Sequence, residues 1–249
     1  MSQVPVLKTQ HAGWPVRRVG FWLIDAWWLF RRAPVRLYAL AVLPMLVEMA
    51  LQMGWPGGGV VASKLVVPLF SAWALLMIDG VIVRNRVSPV EAACALWQIR
   101  RSLPGLALLS ASVFVVQCIV MWCVAGPAGA KALVLADPAG LVVLSRAQLA
   151  TSLATGAIPA VALLFFAGSR IVLEGMPVRD AVVGNLRLLR RNPAPMVAWM
   201  AANISLLAAL VYQPWLLLLL LPMGLVGYAA WRDVYGTPSA PGAAHVGTD

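Results

Sequence analysis

Long apolar stretches separated by short polar connections run through most of this chain. Six of them approach or exceed the roughly 20 residues that an α-helix needs to cross a bilayer. They lie at about 35–55, 60–83, 105–125, 147–169, 194–213 and 215–231. The pattern predicts an all-α, polytopic membrane protein with six transmembrane helices. We expect one integral membrane domain over residues 1–235 and a disordered cytoplasmic tail at 236–249, which is rich in Gly, Ala and Pro.

The composition agrees with this pattern. Hydrophobic residues make up 61% of the chain and charged residues only 11%, whereas soluble domains carry about 25% charged residues. The mean hydropathy is +0.85. One further apolar piece, Ala132 to Leu144, lies between the third and fourth stretches and is interrupted by Asp137, Pro138 and Gly140. We interpret it as a short interfacial or re-entrant segment.

The positive charges predict the orientation. Of the 19 lysines and arginines, only Lys64, Lys131 and Arg146 fall outside when both termini are cytoplasmic, as the positive-inside rule favours. The first twenty residues hold no apolar run, so we expect no cleavable signal peptide. The net charge of +10 lies beside the predicted spans, where anionic headgroups are the nearest partners. It therefore predicts lipid contact and argues against nucleic-acid binding.

A basic phrase recurs three times, as WLFRRAP (28–34), WQIRRSLP (97–104) and LRLLRRNP (186–193). Each copy ends a polar stretch with two adjacent arginines, and a proline that can start a new helix follows shortly after. The pattern predicts three repeat units, at about 20–83, 89–173 and 177–235. Each would be a cytoplasmic amphipathic helix followed by a transmembrane hairpin. We expect the pairs to contact lipid headgroups: Arg31 and Arg32, Arg100 and Arg101, Arg190 and Arg191.

The helices that carry these pairs have further features in common. In the second and third copies a proline precedes an acid in the first turn, a charge order that the helix dipole favours. In the third copy Val178, Val182, Leu186 and Leu189 are predicted to form one apolar face, and the first copy is rich in Trp. The alternative is that the positive-inside rule alone makes arginine pairs recur, without any duplication.

Three segments carry a family resemblance: Gly20 to Pro34, Phe165 to Pro193 and Tyr228 to Tyr235. They resemble a group of uncharacterised bacterial inner-membrane proteins, with a leading aromatic helix that ends in Phe-Arg-Arg-x-Pro and a closing aromatic-Arg-Asp segment. More distantly, the chain is similar to the membrane-anchor domains fused to some glycerophosphodiester phosphodiesterases. The resemblance implies a location in the bacterial cytoplasmic membrane and includes no catalytic residue.

Ionisable residues within the predicted spans are the default candidates for a functional site. Glu48 lies in the first span, and Lys64 and Asp79 lie in the second. The first hairpin would bring Glu48 and Lys64 to a similar depth, where they could pair. One interpretation is a proton or substrate pathway through the three residues. The other is a structural ion pair, with Asp79 reaching towards the inner interface.

Residues typical of enzymes and metal sites are scarce. Both histidines, His11 and His245, lie in the polar tails, and Cys94, Cys118 and Cys123 have no ligand partners nearby in sequence. We therefore predict no enzyme activity, metal or cofactor. The expected function is that of an accessory, scaffold or lipid-organising membrane protein, with membrane lipids and a further membrane protein as candidate partners. The alternative is a small transporter or lipid translocator.

Overall fold

The computed structural model describes residues 13–55 and 57–236 of the chain. Within that part the protein is all-helical, with 86% helix and no strand. The helices are α1 (Arg18–Arg32), α2 (Pro34–Gly54), α3 (Gly59–Arg84), α4 (Pro89–Gln98), α5 (Leu103–Leu135), α6 (Pro138–Val143), α7 (Arg146–Thr155), α8 (Ala157–Pro159), α9 (Ala167–Leu173), α10 (Val178–Arg191), α11 (Pro193–Tyr212) and α12 (Leu217–Tyr235). A π-helical turn occupies Ala160–Leu164, and a 3-10 turn occupies Pro214–Leu216.

Five segments of the described chain are long and apolar enough to cross a membrane. They are α2, α3, α5, the run Arg146–Leu164 and α11. These segments correspond to the first five predicted spans, with boundaries that differ by a few residues for α2, α3 and α11. The sixth predicted span falls in α12, which has 19 residues.

Local sequence explains where several helices begin. Pro34 opens α2 and Pro193 opens α11, each at a first-turn position where proline's missing N–H costs nothing. The residues just before them, Ala33 and Asn192, have similar backbone angles (φ −150°, ψ 63° and φ −132°, ψ 63°). The chain therefore turns sharply between α1 and α2 and, in the same way, between α10 and α11.

Helix α5 changes direction at Gly126, whose backbone angles (φ 71°, ψ −174°) are outside the helical range. Only glycine adopts this conformation readily. Beyond the kink, α5 continues to Leu135, and Asp137 caps α6 by accepting a hydrogen bond from the Ala139 N–H at 3.1 Å. The prediction of one separate segment from Ala132 to Leu144 was therefore wrong in part, because its first four residues belong to α5.

The largest buried side chains gather at one end of the molecule, where α1, α9, α10 and α12 meet. Trp22, Phe166, Tyr228 and Trp231 are all buried there. The rings of Trp22 and Phe166 form an aromatic cluster with Phe165 and Trp199, and Tyr228 packs against Trp231 as a separate pair. We call this the basic end, since α1, α10 and the turn after α4 also place their arginines there. The turns at residues 57–58 and 213–216 lie at the opposite end.

The amphipathic helices of the basic end pack with one face and expose the other. On α10 the predicted apolar face is only partly right. Val178, Val182 and Leu189 pack against the core, but Leu186 is 41% exposed. The buried face is instead centred on Ala181 and Asn185, since the helix turns its basic side outwards. Of the predicted disordered tail, only Gly236 falls within the described residues, and both histidines lie outside them.

Candidate functional site

The arginine pairs lie where their helices end, exposed at the basic end. Arg31 and Arg32 occupy the last turn of α1, and Arg190 and Arg191 the last turn of α10. Arg100 and Arg101 lie in the turn between α4 and α5. Among the described residues, none of the six forms an ion pair with a carboxylate. Their guanidinium groups are therefore free to bind an anion from outside the chain.

In two of the three copies an arginine stacks on an exposed tryptophan. The Arg31 guanidinium carbon lies 5.2 Å from the Trp28 ring centroid, and Arg100 lies 5.2 Å from Trp97. The two tryptophans are 57% and 69% exposed. Each stack thus joins a flat apolar surface to a fixed positive charge. In the third copy Arg187 stands at the position of the tryptophan, so that copy is more basic and less apolar.

The exposed faces of α1 and α4 are apolar around these stacks. On α1, Phe21, Ile24 and Trp27 are exposed beside Trp28. On α4, Val90 and Trp97 are exposed about two helical turns apart, with Ala93 and Cys94 exposed between them. An apolar helix face flanked by cations is typical of a helix that lies in the membrane interface.

Arginines 84 and 86 at the same end differ from the pairs, because both contact Glu91 of α4. The Arg84 Nη1 atom lies 2.7 Å from Glu91 Oε2, and Arg86 pairs with Oε1 of the same carboxylate. Their charges are thus partly neutralised within the protein. They provide a built-in comparison for the unpaired arginines.

The predicted intramembrane residues fall into two separate places. Lys64 forms an ion pair with Glu48 across the α2–α3 hairpin, and Gln52 donates a hydrogen bond to the same Glu48 Oε1 at 3.1 Å. Asp79 lies fifteen residues further along α3, which corresponds to about 22 Å of helix. It accepts a 2.7 Å hydrogen bond from the Tyr228 hydroxyl of α12. The structure therefore does not bring Asp79 together with Glu48 and Lys64.

The end of α12 forms a polar cluster that sequence analysis did not identify as a site. Asp233 accepts hydrogen bonds from Arg18 Nε at 2.7 Å and from Trp22 Nε1 at 2.8 Å. These contacts fasten α12 to α1. The only signal in the sequence was the closing Tyr-Ala-Ala-Trp-Arg-Asp segment, which was noted for its resemblance and not for its contacts.

Glu174, just after α9, makes the matching contacts on the other side of α12. It accepts from Trp231 Nε1 at 2.8 Å and from Arg170 Nε at 3.1 Å. The Arg170 guanidinium also lies 4.4 Å from the Tyr235 ring centroid. Each of the two carboxylates accepts hydrogen bonds from one indole and one arginine. We therefore interpret the cluster as structural, since it holds α12 in place against its neighbours.

Asp25 on α1 is a titratable group of the basic end without an ion-pair partner among the described residues. Desolvation by its neighbours is the main cause that raises the pKa of its carboxyl above the usual 3.8, and the negative charge of Asp233 adds to this effect. Arg232 opposes both by favouring the charged form. Asp25 thus lies on the exposed apolar side of α1 in a setting that disfavours its negative charge.

A buried asparagine holds the broken fourth span together. Asn185 of α10 is 2% exposed, and its Oδ1 accepts from the Phe166 N–H at 3.0 Å. Its Nδ2 donates to the carbonyl oxygens of Val161, at 3.2 Å, and Ala162. These backbone groups lie where the π-helical turn interrupts the helical ladder, so a side chain from α10 replaces bonds that a regular helix would make itself.

Other polar residues of the predicted spans bond between or within helices. Gln148 of α7 donates to the Val124 carbonyl at 2.9 Å, and Ser152 donates to the Gln117 carbonyl at 3.1 Å. Asn203 instead bonds within its own helix, to the Trp199 carbonyl at 2.8 Å. In the described part of the chain, no group of three His, Cys, Asp or Glu residues lies close enough to hold a metal ion.

A lateral groove of about 850 Å³ opens between α3 and α5. Its walls are largely apolar, and Lys64 and Lys131 are the charged residues that line it. Asp79 does not line this groove. The site residues thus divide into an arginine and tryptophan surface at the basic end and a lysine-lined groove along α5.

Taken together, the apolar helices and their exposed tryptophans define the coarse class of this protein, a helical protein with several segments able to span a membrane. Comparison with protein-family models, with curated protein sequences and with solved structures finds no match to this chain.

Proposed function

We propose that this chain is a multi-pass protein of the bacterial cytoplasmic membrane that binds anionic lipid headgroups on the cytoplasmic leaflet and acts as a non-catalytic accessory, scaffold or lipid-organising protein. The observation that carries the proposal is the pair of Arg–Trp stacks, Arg31 on Trp28 and Arg100 on Trp97. Each presents an unpaired cation beside an exposed apolar surface. This combination suits the headgroup region, where tryptophan and arginine both find favourable partners.

The size of the effect can be bounded. A Lys or Arg near an anionic membrane surface contributes about 1 kcal/mol of attraction. Six unpaired arginines would therefore contribute up to about 6 kcal/mol, spread over three helices. The paired Arg84 and Arg86 should contribute less, because Glu91 already offsets their charge. The proposal thus predicts that lipid preference depends on which arginines are removed.

We further propose six spans with both termini in the cytoplasm. Exposed tryptophans support this arrangement, since Trp27, Trp28 and Trp97 lie at the basic end, Trp55, just after α2, and Trp215, in the turn at 213–216, lie at the opposite end, and Trp122 lies four residues before the kink in α5. Two such belts are expected where helices leave the hydrocarbon core. Reporter fusions at residues 57 and 236 test the topology. We expect an external signal at 57 and a cytoplasmic one at 236, and two signals of the same kind would contradict it.

The three-unit repeat belongs to the same proposal. The turn before α2 matches the turn before α11, and the residues that end these two helices, Trp55 and Gln213, share backbone angles of φ −135° and ψ 81°. The second unit departs from this plan, since α4 is shorter than α1 and α10 and α5 is kinked. The resemblance to uncharacterised bacterial inner-membrane proteins stays a prediction.

The lipid proposal is tested by reconstitution in nanodiscs that contain equal amounts of phosphatidylglycerol and phosphatidylethanolamine. Native mass spectrometry then measures which lipid remains bound. We expect phosphatidylglycerol to be enriched around the unmodified protein. Double Arg→Gln variants at 31/32, 100/101 and 190/191 should lower that enrichment. An equal loss in the matched control variant, R84Q/R86Q, would show that net charge alone decides binding and would contradict the proposal.

The alternative function is a small transporter or lipid translocator. The observation in its favour is that Glu48 and Lys64 pair within the apolar hairpin and that Lys64 faces the lateral groove. Against it, Asp79 lies elsewhere and is bonded to Tyr228. A direct assay is dithionite quenching of fluorescent phospholipid in proteoliposomes. Faster loss of inner-leaflet fluorescence, abolished by E48Q, would favour translocation over the accessory role.

A further inference from the structure

The lateral groove between α3 and α5 is separate from the arginine surface of the basic end. One wall is the outer part of α3, with Val61, Lys64 and Leu65, and the other is α5 on both sides of its kink. Before the kink, Val115, Ile119 and Trp122 line it, and all three are exposed. After the kink, Pro127, Lys131 and Leu135 line it. The bend at Gly126 therefore gives the groove its shape.

The two lysines approach the groove from different walls. Lys64 comes from α3, and its amine lies 5.4 Å from the Phe114 ring centroid of α5, so it is held against the groove. Glu48 bonds this amine, and Gln52 bonds Glu48 in turn. An ammonium has three donors, so one contact with Glu48 leaves others for a ligand. Lys131 is exposed and forms no ion pair with a carboxylate of the described residues.

We propose that this groove binds one anionic phospholipid, with an acyl chain along the exposed face of α5 and the phosphate at Lys131, while Lys64, whose charge Glu48 partly offsets, lines the other wall. The volume of about 850 Å³ lies within the range of roughly 300–1,000 Å³ found for ligand pockets. Apolar walls with cations as the charged groups complement an acyl chain and a phosphate. A zwitterionic lipid would gain the apolar contact but carries a cation that Lys131 repels.

One cysteine of the chain reports on occupancy. Cys123 is exposed and lines the groove, whereas Cys94 is exposed on the apolar face of α4 that the arginine proposal assigns to lipid contact. Cys94 is therefore replaced by alanine, and the experiment measures maleimide labelling of Cys123 in the detergent-solubilised full-length C94A protein, with added phosphatidylglycerol or phosphatidylcholine. We expect phosphatidylglycerol to slow labelling of Cys123 several-fold. Phosphatidylcholine should protect Cys123 less.

The charge is tested by K131Q, with R146Q as the matched control. Arg146 is also exposed and also assigned to the outer side, but it does not line the groove. K131Q should raise the phosphatidylglycerol concentration needed for half-protection about fivefold, the worth of one cation beside anionic lipid. R146Q should leave it unchanged. Equal protection by both lipids, or equal effects of the two variants, would overturn the proposal.

A further variant tests the apolar wall without changing charge. I119W should fill part of the groove, so we expect lost lipid protection in a protein that elutes as the unmodified one does on size exclusion. If Cys123 were instead protected without lipid as protein concentration rises, the groove would be an interface between two copies, and the phospholipid proposal would fail. Failure of this site leaves the arginine proposal intact, because the two are probed with different variants.

Discussion

Replacing Asn185 with alanine should destabilise the fold more than its small size suggests. The side chain makes three hydrogen bonds to backbone groups of the interrupted fourth span, at Phe166, Val161 and Ala162. Alanine cannot supply any of them. The freed groups lie in a buried setting where water cannot easily replace the lost partner, so each loss carries a desolvation cost.

The magnitude follows from the three bonds. Interhelical hydrogen bonds in membrane proteins contribute about 0.6 kcal/mol on average and up to about 1.7 kcal/mol, and protein hydrogen bonds in general about 0.5–1.5 kcal/mol. Three such bonds give about 2–4 kcal/mol of lost stability. A quantity of this size is a large fraction of the total stability of a typical protein.

The assay is reversible unfolding in mixed micelles of increasing denaturing-detergent fraction, followed by circular dichroism, with the free energy of unfolding extrapolated to the native micelle. N203A is the matched control. Asn203 is half-buried, and among the described residues its side chain bonds only to the Trp199 carbonyl of its own helix. N203A replaces the same residue type as N185A does. We expect N203A to lose less than about 1 kcal/mol. If N185A and N203A lost the same stability, the claim that Asn185 sustains the interrupted span would be refuted.

Three further predictions concern single positions. G126A should lower stability by about 1–3 kcal/mol, since φ of 71° at Gly126 is strained for any other residue; the same assay should find G168A neutral or stabilising, because Gly168 is helical with open space beside it. D25N should raise thermal stability at neutral pH. A raised folded-state pKa favours the folded protein below the ordinary value of 3.8, and this contribution is lost as pH rises through the folded pKa. The gain from D25N should therefore shrink as the pH falls and vanish in melting curves recorded below pH 3.8, and a gain independent of pH would contradict the reasoning. D79N should be mild in the same unfolding assay, because the amide oxygen can still accept from Tyr228; a loss as large as that of N185A would contradict this.

The amphipathic helices show how far the sequence could lead. Arginine pairs followed by proline predicted helices that carry the pair in the last turn. Helices α1 and α10 end at residues 32 and 191 as expected, but for the second pair the prediction was wrong, because α4 ends at Gln98 and Arg100 and Arg101 lie in the turn that follows. The facing of α10 was only partly predicted, with Leu186 assigned to the wrong side. The pattern of apolar residues along α10 cannot predict that Asn185 is buried. Asn185 is buried because its side chain bonds backbone groups left unpaired in another helical segment.

The pairing of Glu48 with Lys64 depended on local geometry and could be foreseen. Both residues lie close to the turn of one helical hairpin and at a similar distance from it. Their positions along the two neighbouring helices therefore place them side by side. Asp79 was different, since its partner Tyr228 is 149 residues away in sequence. Depth alone could not identify the helix that faces it.

The sequence by itself determined what depends on neighbours along the chain: the apolar helices, the prolines and arginines at their ends, and the hairpin ion pair. Only the tertiary structure decided the attachment of α12 to α1 through Asp233, the replacement of backbone hydrogen bonds by the Asn185 side chain, and the groove shaped by the kink at Gly126. The physical reason is that helix formation and membrane partition follow from local composition. The contacts of a side chain across helices depend on packing between segments far apart in sequence.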